Sequence, residues 1–165
     1  MRRKIFLILS LIWMAVIFVF SNKTGTESAK TSHKVDIELG KKLISGFKKK
    51  SAKKKKEFVK KIDTMVRKLA HIAEYAILGF LLMGTFYDER QNHRKTFLIS
   101  WISAIIYAAS DEFHQLFVPD RSGRISDVVI DSIGAGFGIL GFILILFIIS
   151  RYSNRRKSAR LTDNK

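Results

Sequence analysis

A cluster of ionisable side chains opens an otherwise apolar stretch of this chain, in the segment RKLAHIAEY. Arg67, His71 and Tyr75 follow one another at intervals of four residues. Lys68 and Glu74 stand three residues to either side of His71. Residues three and four apart share one face of a helix. The segment therefore predicts a polar helix face that carries a base, an acid and two cations.

A second polar cluster ends the next apolar stretch, in the segment DEFHQLF. Asp111, His114 and Gln115 fall on one helical face, and Glu112 borders it. Histidine beside carboxylates could bind a divalent metal or exchange protons with a substrate. The spacing alone leaves open whether the face binds, catalyses or only orients helices.

The third cluster precedes and opens the last apolar stretch. Arg121 lies in the connecting segment VPDRSGRIS, and Asp127 and Asp131 follow at a spacing of four residues. Gly134 and Gly138 continue that face as a GxxxG pattern, which is typical of close helix packing in membranes. We expect the glycines to serve packing and the charged residues to join the other two clusters.

The three polar clusters stand out because the rest of the chain separates charged residues from apolar ones. The chain has 165 residues, is 47% hydrophobic and 27% charged, has a net charge of +16 and lacks cysteine. Charged and apolar residues are segregated along it, which argues against a soluble globule. We predict an all-α membrane protein with four transmembrane helices, forming a single integral membrane domain over residues 1–150. The predicted spans are residues 5–20, 69–87, 97–117 and 128–150.

Four spans bring the three polar clusters to one side of the membrane. At about 1.5 Å of rise per residue, Glu74, Asp111 and Asp131 lie roughly 5–9 Å beneath that surface. Ionisable groups in lipid are costly, so these helix faces should turn inward and form a pocket. The candidate pocket residues are Arg67, Lys68, His71, Glu74, Tyr75, Asp111, Glu112, His114, Gln115, Arg121, Asp127 and Asp131.

The loop between the first two spans is strongly basic. Residues 21–66 contain 14 Lys and 5 acidic residues, with apolar residues at helical spacing between them. The pattern predicts basic amphipathic helices on the membrane surface, attracted to anionic lipid headgroups. We expect no nucleic-acid partner, because the basic run lacks interleaved aromatic residues.

The basic residues at both chain ends set the predicted orientation. Arg2, Arg3 and Lys4 precede the first span, and a basic tail covers residues 151–165. Positive residues near the ends of spans favour the cytoplasmic side. We therefore predict a multi-pass cell-membrane protein with both termini in the cytoplasm and the polar pocket at the outer face.

Taken together, the segments RKLAHIAEYAILGFLL and DEFHQLFVPDRSGRISDVVIDSIGAGFG resemble the VanZ-like family of small bacterial membrane proteins. The segment FSNKTGTESAKTS after the first span is also similar to that family. Lys23 and Asp120 depart from its usual pattern, and the lysine-rich insert around 48–61 is peculiar to this chain. The resemblance covers roughly residues 5–145.

The resemblance implies reduced susceptibility to teicoplanin, a lipoglycopeptide that acts on cell-wall precursors outside the membrane. Family residues map onto Arg67, Lys68, His71, Tyr75, Asp111, Glu112, Gln115, Arg121, Asp127 and Gly134. The expected partners are membrane lipids with anionic headgroups, a cell-wall precursor or the lipoglycopeptide itself. Self-association through the glycine face is a further expectation.

Enzymatic activity remains an alternative on the sequence alone. The chain has no HExxH, GxSxG or P-loop motif, and we assign it no metal and no cofactor. An intramembrane enzyme, metal-dependent or not, that acts on a lipid-linked envelope substrate would use the same polar residues. A conducting pore is disfavoured, because the other half of each span offers no polar path.

Overall fold

Four α-helices, in chain order, account for nearly all of the described chain. The structure is a computed structural model, and it describes residues 1–22, 52–88, 92–119, 121 and 123–163. The helices are α1 (Arg2–Ser21), α2 (Ala52–Phe86), α3 (His93–Gln115) and α4 (Ile125–Asp163). The described residues contain no strand, so the predicted all-α fold is confirmed.

Successive helices run in opposite directions. Arg3 Nε of α1 donates to the carbonyl oxygen of Tyr87 just beyond the end of α2, and Trp13 Nε1 donates to the carbonyl of Glu74. Along α3 and α4, Trp101 Nε1 donates to the carbonyl of Ser132. The alternation brings the start of α1, the end of α2 and the start of α3 to one end of the bundle, here called the terminal end.

Three of the helices are long and apolar enough to cross a membrane. By length and composition these are Arg2–Ser21, Lys60–Phe86 and Ile125–Ser153. The predicted third span corresponds to α3, which is less apolar because its last turns carry Ser110, Asp111 and Glu112. Leu98, Ile102 and Ile106 nevertheless expose an apolar stripe along α3. Asp111, Glu112 and Gln115 of α3 are buried inside the bundle, where polar side chains are shielded from lipid.

The outer surface of the bundle is apolar, as a lipid-facing surface requires. Ile8 and Leu11 of α1 and Leu140, Leu144 and Phe147 of α4 are all exposed. Soluble monomers rarely expose continuous apolar surface of this extent. The exposed faces therefore agree with an all-α membrane protein.

The most extensive contact in the bundle joins α2 to α4. A side chain on Gly138 would run into the carbonyl of Ala76, and a Cβ on Gly134 would lie 2.6 Å from the carbonyl oxygen of Ile72. Glycine is needed at both positions because the backbones of the two helices approach this closely. Gly134 and Gly138 are consequently covered by α2 within the chain. Self-association of two copies stays a prediction.

The core forms around the same pair of helices. Tyr75, Leu78 and Ala135 are fully buried and pack with Ala104 and Ala108 of α3. Alanine at these two positions of α3 lets it approach the α2–α4 pair closely. Ile17 from α1 closes the cluster on the remaining side.

Two helices extend well beyond a membrane span. α2 has 35 residues and begins at Ala52, so residues 52–66 are its first turns and not a separate surface helix. The predicted helicity of that part of the loop is correct, while residues 23–51 lie outside the described chain. α4 has 39 residues and continues through most of the predicted basic tail. At about 1.5 Å per residue, both helices exceed the ~30 Å hydrocarbon layer.

Candidate functional site

At the end of the bundle opposite the terminal end, three helices and one loop surround a cleft of about 270 Å³. We call it the polar cleft. From α2, Thr64, Arg67, Lys68 and His71 line it. They occupy positions i, i+3, i+4 and i+7 of one helix face, so a regular helix is enough to aim all four into the same space.

The remaining walls come from parts of the chain far apart in sequence. Gln115 lines the polar cleft from the last residue of α3, and Asp127, Ile130 and Asp131 line it from the first two turns of α4. Arg121 and Arg124 enter from the loop between these two helices. Four cationic side chains and two carboxylates thus surround the same small volume.

The floor of the polar cleft is formed by the half-buried His71 and the buried carboxylate of Asp131. Asp131 is 0% exposed, and its Oδ1 lies 3.4 Å from His71 Nδ1. That distance suits an ion pair, but the two atoms do not meet the geometry of a hydrogen bond. Among the described residues, neither oxygen of Asp131 has a hydrogen-bond partner. Burial of a carboxylate with so few partners is unfavourable for folding.

A loop folded back onto α3 closes one side of the site. α3 ends at Gln115, and the chain turns through Leu116–Pro119 before α4 begins. The backbone N–H of Arg124 donates to Glu112 Oε2 at 2.9 Å. Gly123 permits this contact, because a side chain there would run into the carbonyl of Glu112. The carboxylate of Glu112 therefore anchors the loop that carries both loop arginines.

A second buried carboxylate supports the end of α3 from within. Gln115 Nε2 donates to Asp111 Oδ2 at 3.0 Å, which fixes the amide at the cleft wall. Asp111 Oδ1 and Glu112 Oε1 are buried and have no hydrogen-bond partner among the described residues. The layer behind the cleft thus holds more buried acceptor atoms than the described part of the chain provides donors for.

Charges on either side act on the loop arginine. Burial is the main cause that lowers the pKa of the Arg121 guanidinium, and the nearby Arg67 lowers it further. Asp111 and Glu112 raise that pKa in turn. Because an arginine stays charged in proteins, the two guanidiniums remain close cations of the same sign.

The structure brings seven of the twelve predicted pocket residues to the polar cleft: Arg67, Lys68, His71, Gln115, Arg121, Asp127 and Asp131. Two more, Asp111 and Glu112, are buried directly behind it and hold Gln115 and the loop. These nine residues form one connected region. The prediction that they act together on a ligand is untested by this geometry.

The other three predicted residues lie elsewhere. His114 Nε2 is 2.8 Å from Asn22 Oδ1, and its ring packs 4.6 Å from that of Phe18, so it faces α1. Tyr75 is fully buried in the core, with its ring 6.2 Å from that of Tyr107. Glu74 is half-buried and does not line the cleft.

Three lining residues were absent from the predicted set: Thr64, Arg124 and Ile130. Thr64 could have been found, because it continues the helix face of His71 one turn earlier. The sequence places Arg124 at the same membrane face as Arg121, three residues earlier, but its position at the cleft follows from the loop fold. In the described part of the chain, no group of three or more His, Asp or Glu residues is arranged to hold a metal ion.

Comparison with known proteins gives a single result. No curated protein and no solved structure matches the chain. A family model described as VanZ/LLP1 matches residues 6–148, which overlap all four described helices and include every lining residue of the polar cleft. The match confirms the resemblance seen in the sequence motifs. The chain is a member of the VanZ/LLP1 family.

Proposed function

We propose that this chain is a multi-pass protein of the bacterial cell membrane whose polar cleft binds the anionic headgroup of an envelope lipid or amphiphile. By occupying or altering the membrane surface, it would lower susceptibility to teicoplanin-type lipoglycopeptides. The observation that carries the proposal is the convergence of Arg67, Lys68, Arg121 and Arg124 on one cleft at the end of an apolar bundle.

The chemistry of the cleft supports an anionic ligand. Guanidinium groups bind phosphate and carboxylate oxygens through paired hydrogen bonds, which are stronger than hydrogen bonds between neutral groups. Arg67 and Arg121 are half-buried, so a bound anion would be partly shielded from water. The cleft, at about 270 Å³, is at the small end of ligand pockets. It suits a headgroup, and a whole lipoglycopeptide would not fit inside it.

The direction of the helices supports an outward-facing site. The chain begins at the terminal end of the bundle, whereas the polar cleft lies at the opposite end. If Arg2, Arg3 and Lys4 hold the first helix start in the cytoplasm, the cleft opens toward the outer leaflet. All four helices then cross the membrane, and the cleft meets the lipids and precursors on which the antibiotic acts.

Susceptibility measurements test this function directly. Arg67→Ala and Arg121→Ala, expressed in a sensitive bacterium, should abolish the protection against teicoplanin that the unchanged chain provides, at equal membrane levels. Arg94→Ala is the matched control, because Arg94 is exposed at the start of α3 near the terminal end. Full protection by both cleft variants, or no protection by the unchanged chain, would refute the proposal.

A second candidate function rests on the pair at the cleft floor. His71 beside the buried Asp131 is an arrangement that could orient an imidazole for acid–base chemistry on a bound headgroup. The purified protein, incubated with envelope lipids with and without a chelator, would then convert one lipid into a product that mass spectrometry detects. Loss of turnover in His71→Gln, with lipid binding retained, would support an enzyme; no turnover by the unchanged chain would exclude it under those conditions.

A further inference from the structure

The opening and the floor of the polar cleft carry opposite charges. Lys68 and Arg124 are exposed and Arg67 and Arg121 half-buried, so the cations lie toward the opening. Asp131 lines the same space but is completely buried, so its carboxylate lies at the floor. A ligand that only carried negative charge would use the cations and be repelled by the floor.

The floor also has unused capacity for hydrogen bonding. Both oxygens of Asp131 lack a hydrogen-bond partner among the described residues, and the contact with His71 at 3.4 Å accounts at most for Oδ1. A buried carboxylate without donors destabilises the fold unless something else satisfies it. A hydrogen-bond donor on the ligand would satisfy the carboxylate of Asp131, and a positively charged donor would satisfy it best.

The half-buried Asp127 reinforces this choice. It stands one helical turn before Asp131 on α4 and also lines the polar cleft. An amine belonging to the ligand can meet one or both carboxylates while its anionic group meets the arginines.

We propose that the polar cleft recognises a zwitterionic headgroup, in which a phosphate is joined by a short linker to a primary ammonium group. The phosphate contacts Arg67 and Arg121, and the ammonium donates to Asp131 at the floor. Phosphoethanolamine has this chemistry and is small enough for about 270 Å³. This inference rests on the proposed function, since it specifies the headgroup that the same site binds.

The test compares headgroups that differ in one feature. Purified full-length protein in detergent is mixed with equal amounts of phosphatidylethanolamine, phosphatidylcholine and phosphatidylglycerol of identical acyl chains, and native mass spectrometry measures the lipids retained. Phosphatidylcholine keeps the phosphate and the positive charge but has no N–H donor. We expect about ten times more phosphatidylethanolamine than phosphatidylcholine to be retained. A tenfold ratio corresponds to the free energy that one hydrogen bond between charged groups contributes.

Carboxylate variants locate that preference. Asp131→Asn should reduce the ratio of phosphatidylethanolamine to phosphatidylcholine to about one, and Asp127→Asn, a less buried position, should reduce it in part. Asp88→Asn is the matched control, because Asp88 pairs with Arg3 at the terminal end, 2.9 Å away. If Asp131→Asn does not fold, the headgroup comparison on the unchanged chain and on Asp127→Asn still decides the question.

Two failures have different meanings. Equal retention of phosphatidylethanolamine and phosphatidylcholine, or preference for phosphatidylglycerol, overturns the inference of a primary ammonium group that donates to Asp131, while leaving anionic-headgroup binding intact. Retention of no lipid above the Arg67→Ala/Arg121→Ala double variant overturns the proposed function itself. If soluble phosphoethanolamine displaces the bound lipid and phosphocholine does not, the inference is supported and the free headgroup is a ligand. If phosphatidylethanolamine is selectively retained but is not displaced, the inference is supported and the lipid is the ligand.

Discussion

Asp131 is the residue whose position most needs an explanation. Its side chain is fully buried in the contact region of α2 and α4. An apolar residue at this position would avoid the free-energy cost of removing a charged group from water. His71 Nδ1 lies 3.4 Å from its Oδ1 and compensates the carboxylate charge when the imidazole is protonated. A buried carboxylate with a single partner is sensitive to removal of that partner, because the remaining charge is then uncompensated.

We predict that His71→Ala lowers the free energy of unfolding by about 2 kcal/mol, below the value for fully buried pairs because His71 is partly exposed. Adding Asp131→Asn to His71→Ala should recover most of the loss, since it removes the unpaired charge. His93→Ala is the control: His93 is exposed at the start of α3 and stacks 5.6 Å from the ring of Tyr87, with no buried carboxylate left unpaired by its removal, so the loss should be smaller than for His71→Ala. The stability of each variant is measured by thermal unfolding in detergent, with size-exclusion chromatography used to monitor the folded fraction. Additive losses of stability in the double variant would contradict the pairing of His71 with Asp131.

Residue patterns identified which side chains are polar in a membrane, but not which neighbour each one meets. His114 falls on the same helical face as Asp111 in the sequence, yet it contacts Asn22 and Phe18 of α1. α1 offers no charged residue between Ile5 and Ser21 that would reveal this contact in advance. Helical periodicity gives the direction of a side chain around its own axis, whereas the partner depends on how the helices pack.

At the scale of elements, the glycines of α4 decide how close α2 can lie. The sequence pattern GxxxG indicated close packing correctly, but a helix pair within the chain and a pair between chains have the same signature. The structure places the glycine face against Ile72 and Ala76 of α2. The same close approach brings Asp131 next to His71, so helix packing and the floor of the polar cleft depend on each other.

This dependence gives a sharp comparison between two glycines of one helix. Gly138→Ala should lower the free energy of unfolding by about 1–3 kcal/mol, because the new methyl group would overlap the backbone of α2. Gly141→Ala should be neutral or stabilise by up to about 1 kcal/mol, since nothing lies within 4 Å and alanine favours the helix. Thermal unfolding of both variants measures the difference. Equal effects would mean that α2 and α4 do not pack this closely.

The length of α2 shows where a compositional boundary fails to predict a structural one. The sequence changes from lysine-rich to apolar near Leu69, which led us to separate a surface helix from a span. Charge does not end a helix, however, and residues 52–78 contain neither glycine nor proline to interrupt one. α2 consequently runs unbroken from Ala52 to Phe86.

Over the whole molecule, the two ends of the bundle carry different chemistry. The terminal end is joined by a few specific contacts: Arg3 pairs with Asp88, and the guanidinium of Arg2 lies 5.1 Å from the ring centre of Tyr87. The opposite end holds the polar cleft and its buried carboxylates. The number and alternation of the helices could be predicted from the sequence, because long apolar segments joined by polar connections have few ways to pack. The cleft itself depends on the loop fold around Gly123, which the sequence alone left undetermined.

The absence of cysteine from the chain makes its orientation directly measurable. Single cysteines introduced as Gln91→Cys, Ser122→Cys and Ser158→Cys sample the two connections and the basic end of α4. We expect a membrane-impermeant thiol reagent added to intact cells to label Ser122→Cys alone. Its sequence neighbour Arg121 lines the polar cleft. Position 91 instead falls in the sequence between α2 and α3, and Ser158 belongs to the last turns of α4. All three should react once the membrane is permeabilised, which controls for accessibility.

The labelling pattern separates the orientation from the bundle that it assumes. If Gln91→Cys and Ser158→Cys are labelled from outside and Ser122→Cys is protected, the protein has the opposite orientation in the membrane. The cleft would then face cytoplasmic lipids, and direct protection against an external lipoglycopeptide would fail as a function. Labelling of Gln91→Cys and Ser122→Cys on the same side would mean that α3 does not cross the membrane. Since α3 supplies Gln115 and the buried Asp111 behind it, that outcome would also remove one wall of the polar cleft from the membrane.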